Sequence, residues 1–236
     1  LLIDLAGFTG SGLSHLAWKG FGETVPQRVD RLMMQGHLAP AVYVFPDCFT
    51  SLGGNQYVDS IAMGQWARWL HEVLVPAVEA RYPVITEPGG RGLFGKSSGG
   101  YGALHQALHH GEHWGAVVCH SGDMDFELCY GREFPEVLLA LTQSGLSISG
   151  YIERLHRRRR IAGGEMHVLM TFAMAASYDP DPDAPFGVRL PVDLQTCERD
   201  DARWAAWQSF DPIVGLERIA AQESLRGLKG LFLDCG

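Results

Sequence analysis

The sequence lacks the features of a membrane-spanning, disulfide-bonded or metal-binding chain. None of its apolar runs reaches the roughly 18 residues that a membrane span requires, and no signal peptide is visible. The five cysteines are odd in number, and no two form a C-x-x-C pair. Free cysteines in apolar runs favour a reducing, cytoplasmic compartment. We therefore expect neither a metal nor a cofactor.

Basic residues are also scarce. The chain has 19 Lys and Arg against 27 Asp and Glu, which gives a formal net charge of -8. This balance offers no reason to expect a nucleic acid or an anionic membrane as partner. The local exception is His156 followed by Arg157–Arg160, for which we favour a solvated helix end over an anion-binding patch. The expected partner is a small molecule, and the sequence does not indicate an oligomeric state.

The length of 236 residues and the 46% hydrophobic content fit one sizeable globular domain over residues 1–236. The chain starts at Leu1 inside an apolar run and stops at Gly236, directly behind another run. Domains rarely begin and end inside strands. The sequence therefore predicts that this domain is a fragment.

Short apolar runs between turn residues predict the buried strands of a parallel sheet. They are Leu1–Leu5, Ala41–Phe45, Gly92–Phe94, Ala116–Cys119 and Leu231–Leu233. Helical spacing predicts helices at Gln65–Arg81, Tyr101–His110 and Leu216–Leu228, with Pro76 kinking or splitting the first of them. This alternation predicts an α/β fold with a mostly parallel, doubly wound sheet.

Residues 126–210 interrupt the alternation with several helical patterns and the Pro- and Asp-rich run Asp179–Pro185. We interpret this segment as a helical insertion, or cap, over one end of the sheet. Loops at that end of an α/β sheet commonly form the ligand pocket.

The residues around Ser97 match two overlapping sequence motifs. Gly90, Gly95, Lys96 and Ser97 match the phosphate-binding pattern G-x-x-x-x-G-K-[ST], whereas Gly95, Ser97 and Gly99 match the nucleophile elbow G-x-S-x-G. A phosphate loop needs its strand before the first glycine. In this sequence the apolar residues 93 and 94 would lie inside the phosphate loop itself, which argues against it. They fit the strand that must precede the serine of an elbow. The sequence therefore favours an elbow with Ser97 as nucleophile.

A nucleophilic serine also needs oxyanion donors, an acid and a histidine. The expected donors are the backbone N–H groups of Ser98 and Phe8, the latter in the glycine-rich loop Ala6–Gly12. No histidine after Ser97 lies in a late loop behind a final strand. Thr9, His120 and Asp123 remain candidate pocket residues, with Asp123 as a fallback acid.

With these residues identified, the chain resembles the putative-esterase family of α/β-hydrolases. This family includes esterase D, enterochelin esterase-like proteins and the antigen 85 mycolyltransferases. Four segments carry the resemblance: Leu5–Gly10, Phe45–Asp47, Gly95–Gly100 and Leu233–Gly236. It implies the α/β-hydrolase fold, Ser97 as nucleophile, and Phe8 and Ser98 as oxyanion donors. It also implies that Asp234 is a strand-end aspartate, with the triad acid and histidine beyond Gly236.

We therefore expect a serine hydrolase that cleaves carboxylic esters or thioesters through an acyl-serine intermediate. The given chain should be nearly inactive by itself, because two triad groups are missing from it. The alternatives are an acyltransferase of the same fold, a nucleotide-binding protein using Gly90–Ser97 as a phosphate loop, and a non-catalytic relative.

Overall fold

Five parallel strands form the central sheet of the computed structural model, which describes residues 1–235. In chain order they are β1 (Leu2–Leu5), β2 (Tyr43–Val44), β5 (Gly92–Lys96), β6 (Ala116–His120) and β7 (Gly230–Asp234). Their order across the sheet is β2-β1-β5-β6-β7. β3 (Asp59–Ser60) and β4 (Gly64–Gln65) form a separate antiparallel hairpin. The predicted α/β-hydrolase fold with a mainly parallel sheet is confirmed.

Twelve α-helices occur in the described part of the chain. They are α1 (Gly12–Leu16), α2 (Val25–Met34), α3 (Trp66–Arg68), α4 (Val75–Glu79), α5 (Ser98–His109), α6 (Phe126–Cys129), α7 (Phe134–Ser144), α8 (Ile148–His156), α9 (Gly163–Tyr178), α10 (Asp201–Gln208), α11 (Pro212–Gly215) and α12 (Ile219–Arg226). No helix within residues 1–235 has the length and apolar character needed to cross a membrane.

Strand β1 shows how the two faces of the sheet are covered. Its side chains alternate between the faces, and Ile3 and Leu5 join the core cluster that includes Leu104 of α5. Asp4 lies on the opposite face, where its carboxylate meets His15 of α1. Helices therefore pack on both faces of the sheet, as the doubly wound prediction requires.

The predicted helix at Gln65–Arg81 is continuous from α3 to α4 but changes its winding before Pro76. Residues Trp69–Leu74 form a π-helical segment, and Pro76 lies in the first turn of α4. A proline inside an α-helix removes a donor and clashes with the carbonyl four residues earlier. Wider winding just before Pro76 relieves that clash without ending the helix.

Residues 126–210 contain α6 to α10 and supply most of one core cluster, which Phe8, Leu52, Val58 and Tyr101 join from the rest of the chain. That core includes Phe126, Tyr130, Phe172, Tyr178 and Trp207, all with 3% or less of their surface exposed. A second cluster lies between the sheet and α5. Arg157–Arg160 follow the end of α8 and are exposed, as predicted for a solvated helix end.

The prediction of a buried strand at Leu231–Leu233 is wrong about burial. β7 pairs with β6 and forms one edge of the sheet, but Leu231, Phe232 and Leu233 are 41%, 53% and 51% exposed. A run of apolar letters shows that a strand could be buried on both faces, but not which elements cover it. The predicted strand Ala41–Phe45 is also shorter in the structure, where it spans Tyr43–Val44.

Five histidines gather where α5 ends against the helix that carries His71. The rings of His71 and His113 stack with centroids 4.2 Å apart, and the His71 and His110 rings are 4.9 Å apart. His105 and His109 are 4.5 Å apart. Burial, followed by the neighbouring imidazoles, lowers the pKa of His71, His105 and His109. The folded protein therefore holds these rings neutral in a pH range where the unfolded chain would protonate them.

This cluster predicts a loss of stability in mild acid. A histidine whose pKa is lowered in the folded state binds fewer protons there than in the unfolded chain. It therefore lowers the free energy of unfolding, an effect that is absent above the unfolded pKa of about 6.5 and grows as the pH falls below it. In urea unfolding, the free energy of unfolding of a His71→Leu variant should fall less between pH 8 and pH 5 than that of the parent chain. Exposed His37 supplies the matched control. If His37→Leu reduces the acid loss as much as His71→Leu does, the cluster is not its source.

Candidate active site

Ser97 lies in a sharp turn between β5 and α5. Its backbone has φ 56° and ψ −127°, a combination that is strained for a residue with a side chain. The Ser97 N–H donates to the carbonyl of His120 at 3.0 Å, and the Ser97 carbonyl accepts from the N–H of Tyr101 at 2.9 Å. These bonds tie the turn to β6 on one side and to the first turn of α5 on the other.

Glycines around Ser97 allow this turn to form. A Cβ at Gly99 would lie 1.8 Å from the carbonyl oxygen of Leu5, and one at Gly95 would lie 2.5 Å from the Gly99 backbone. A Cβ at Gly100 would lie 2.8 Å from the carbonyl oxygen of His120. The first turn of α5 therefore lies directly against β1 and β6, and a side chain at any of these positions would push it away.

The same geometry rules against the phosphate loop. Gly92–Lys96 is a strand, hydrogen-bonded to β1 and β6, and so the letters between Gly90 and Ser97 do not form a loop that could surround phosphates. Gly90 belongs to a short 3-10 turn, Pro88–Gly90. The nucleotide-binding alternative is contradicted by this strand.

Two backbone donors stand close to the turn. Ser98 is the first residue of α5, where N–H groups have no partner within the helix and the helix dipole is positive. Phe8 lies in the loop between β1 and α1, with its ring buried and its backbone in close contact with Gly54. Among the hydrogen bonds within residues 1–235, none uses the N–H of Phe8 or Ser98.

A cavity of about 440 Å³ joins Ser97 to the Phe8 loop. Its walls are formed by Ala6–Gly10, Ser14, His15, Lys96 and Ser97, together with Met166, His167 and Met170 of α9. Thr9 was predicted as a pocket residue and does line this cavity. His120 and Asp123 were predicted as well, but they are not among the described residues that line it.

A buried polar network holds the Ser98 side chain. The Gln56 amide donates to Ser98 Oγ at 2.6 Å, and Ser98 Oγ donates to Asp123 Oδ2 at 3.5 Å. The Tyr130 hydroxyl donates to the same Asp123 oxygen at 2.8 Å, and the Tyr178 hydroxyl donates to Gln56 Oε1 at 3.1 Å. The network therefore connects the first turn of α5 with Tyr130, directly after α6, and with Tyr178 in α9.

Asp123 thus has hydroxyl partners where a triad acid would have an imidazole. Burial raises the pKa of its carboxyl group, and the hydrogen bonds from Tyr130 and Ser98 partly oppose that effect. Within the described chain, none of its hydrogen bonds goes to a histidine. This geometry does not support the fallback hypothesis that Asp123 orients the catalytic histidine.

Two histidine–carboxylate pairs lie at or near the carboxyl edge of the sheet. His120 Nδ1 is 2.7 Å from Asp234 Oδ1, and the register pairs these residues across β6 and β7. His15 Nδ1 is 3.1 Å from Asp4 Oδ2. Burial raises the pKa of Asp4 to about 6, and the positive field of His15 opposes that rise. Of the two histidines, His15 is the one that lines the cavity with Ser97.

Sequence reasoning missed Gln56, Tyr130, Tyr178 and the Asp4–His15 pair. The sequence did contain a signal for the Asp4 pair. Asp4 is the single charged residue in a buried apolar run, and a buried charge needs a partner. Gln56 and the two tyrosines carried none. They are brought together only by the packing of the 126–210 segment on the hairpin region.

The family comparison adds to this geometry. The sequence profile of the putative-esterase family matches residues 59–226, a range that includes the turn at Ser97. The chain belongs to this esterase family. No curated protein is significantly similar to it in sequence.

Solved structures of esterases are among those similar to this esterase-family chain. An S-formylglutathione hydrolase from Staphylococcus aureus is 14% identical, with 100% of this chain and 63% of that chain covered and a TM-score of 0.48. An enterobactin esterase from Shigella flexneri is 22% identical, with 63% and 37% covered and a TM-score of 0.42. MPT51 from Mycobacterium tuberculosis is 15% identical, with 98% and 79% covered and a TM-score of 0.40. The chain thus spans less than two thirds of the first two proteins.

The close packing at Gly99 predicts that a single methyl group is not tolerated there. Gly99→Ala should lower the free energy of unfolding by about 2 kcal/mol or more, because α5 must move away from β1 to admit the methyl group. Gly164 in the first turn of α9 is the matched control, since nothing lies within 4 Å of a Cβ built there. Gly164→Ala should be neutral or stabilise by up to about 1 kcal/mol in urea unfolding. Equal effects at the two positions would contradict the packing argument.

Proposed function

We propose that this domain belongs to a serine hydrolase that cleaves carboxylic esters or thioesters, with Ser97 as the nucleophile. The observation that carries the proposal is the strained turn at Ser97, which opens onto the same cavity as the Phe8 loop. Strain of this kind persists only where the surrounding structure enforces it, and it is concentrated at functional sites. Membership of the esterase family supports the same chemistry.

In the proposed reaction, Ser97 Oγ attacks the carbonyl carbon of the substrate and loses its proton to a general base. The carbonyl oxygen becomes an oxyanion, which the N–H groups of Phe8 and Ser98 stabilise. The oxyanion then collapses, and the alcohol or thiol leaves with the proton from the base. Water attacks the resulting acyl-serine in the same way, releasing the acid and restoring Ser97.

The Gln56–Ser98–Asp123 network supports this assignment of Ser98. Its hydroxyl is held from two directions, and so the first turn of α5 cannot rotate freely. An oxyanion donor is effective only when its direction is fixed before the charge develops. The network acts on the reaction through the position of Ser98, without touching the substrate.

We also propose that residues 126–210 act as a cap over this site. Met166, His167 and Met170 of α9 supply one wall of the cavity that contains Ser97. The two methionines give that wall an apolar, adaptable surface. This arrangement would exclude water from part of the reaction site.

Within residues 1–235, no hydrogen bond joins Ser97 Oγ to a histidine; the two histidines with close carboxylate partners at the sheet edge, His15 and His120, bond to Asp4 and Asp234. We therefore propose that the triad acid and histidine are not among residues 1–235. On this view, the 236-residue chain should retain only a residual rate, roughly 10³–10⁴-fold above that in water, from the oxyanion donors and substrate binding.

Ser97→Ala should abolish fluorophosphonate labelling of the full-length protein and lower kcat/KM towards p-nitrophenyl acetate by about 10³-fold or more, because the acyl acceptor is removed. The control is Ser209→Ala, at an exposed serine that follows α10. It should keep both labelling and turnover. Turnover by Ser97→Ala at the parent rate would overturn the proposal. Fast turnover by the unaltered 236-residue chain would overturn only the assignment of the base outside residues 1–235.

A further inference from the structure

The cavity at Ser97 differs in charge from the chain as a whole. The protein carries a net charge of -8, yet no Asp or Glu is found among the described residues that line this cavity. The same walls hold Lys96, His15 and His167. The lining of the cavity therefore contains basic side chains and no carboxylate, in contrast to the acidic composition of the whole chain. A concave wall of one sign concentrates ligands of the other sign.

Lys96 is the fixed charge of this wall. It ends β5 directly before Ser97, and its side chain is exposed. Within residues 1–235, Lys96 Nζ takes part in neither an ion pair nor a hydrogen bond with the protein. By contrast, Arg203 contacts both Asp179 and Asp181. An unpaired ammonium beside the nucleophile is therefore available to a ligand.

His15 is the imidazole whose orientation in the wall is fixed. Its Nδ1 is held 3.1 Å from Asp4 Oδ2, and its ring stacks on Phe45 at 5.7 Å. Asp4 is only 4% exposed and lies behind His15, away from the cavity lining. A carboxylate that accepts from Nδ1–H fixes the orientation of the ring, and Nε2 then donates to an anion when the ring is an imidazolium. His15 is thus held in place by a group that the ligand does not meet.

We propose that the ester or thioester cleaved at Ser97 carries a carboxylate in its acyl part, and that Lys96 and His15 bind this carboxylate. The inference rests on the proposed function. The acyl part is the relevant one because it stays bonded to Ser97 until water releases it, so the surrounding cavity must accommodate it. Phe8 and Ser98 then bind the oxyanion, while Lys96 and His15 bind the second negative group. His167 contributes less, since its Nδ1 lies 3.8 Å from Glu133.

The test compares two substrates of similar length in the full-length protein, the mono-p-nitrophenyl ester of glutaric acid and p-nitrophenyl hexanoate. The parent protein should favour the glutaric ester in kcat/KM by about tenfold at low salt, and the preference should shrink as salt screens the charges. Lys96→Gln should lower the ratio of the two kcat/KM values by about tenfold through the KM of the glutaric ester, whereas Lys96→Arg should retain most of it. Lys19→Gln changes an exposed lysine outside the cavity lining and should leave the ratio as it is.

A second measurement does not need turnover. Ser97→Ala protein, including the 236-residue chain, should bind glutarate in calorimetry, and adding Lys96→Gln or His15→Gln should weaken that binding by several-fold. A parent protein that favours the hexanoate, or a ratio unchanged by Lys96→Gln, would overturn the carboxylate proposal while leaving Ser97 as nucleophile. Turnover of both esters by Ser97→Ala would instead overturn the proposed function, whatever the ratio.

Discussion

The backbone of Ser97 remains in its strained conformation because α5 begins in direct contact with two strands. The carbonyl oxygen of Leu5 occupies the place where a side chain of Gly99 would stand, and the carbonyl oxygen of His120 does the same for Gly100. These contacts leave the chain one way to turn from β5 into α5. Close packing thus places Ser97, half-buried, at the carboxyl edge of the sheet, and its hydroxyl has no hydrogen bond to another described residue.

That same packing decides where the proposed oxyanion donor Ser98 lies. The first N–H of α5 belongs to Ser98, and the Ser98 hydroxyl is hydrogen-bonded to Gln56 and Asp123. Asp123 accepts a hydrogen bond from Tyr130, and Gln56 accepts one from Tyr178, so side chains of the 126–210 segment hold the residue next to Ser97. The site and the 126–210 segment are therefore one mechanical unit. Loss of packing in that segment should therefore change the position of Ser98.

Charge is distributed unevenly around this unit. Asp4 is buried in β1 and contacts His15, which keeps a carboxylate close to the cavity without exposing it there. Lys96, directly before Ser97, is left without an acidic partner in the described chain. A cavity with these walls can hold a negative group beside Ser97, where an acidic wall would repel it.

The local sequence was sufficient to predict the turn at Ser97. The turn requires small residues at 95, 99 and 100 and a strand at 92–96, and all of these are close to Ser97 in the chain. They were also sufficient for the parallel sheet, since apolar runs alternate with helical spacing. Burial of Leu231–Leu233, the partners of Asp123 and the pairing of Asp4 with His15 depend on which distant segments meet. Residues that are remote in the chain, such as Gln56 and Tyr178, become neighbours only when the whole chain packs. The sequence by itself therefore determined the turn at Ser97, the proposed nucleophile, whereas the tertiary structure decided the network that fixes Ser98 and the set of charged side chains around the cavity, since both arise from long-range contacts.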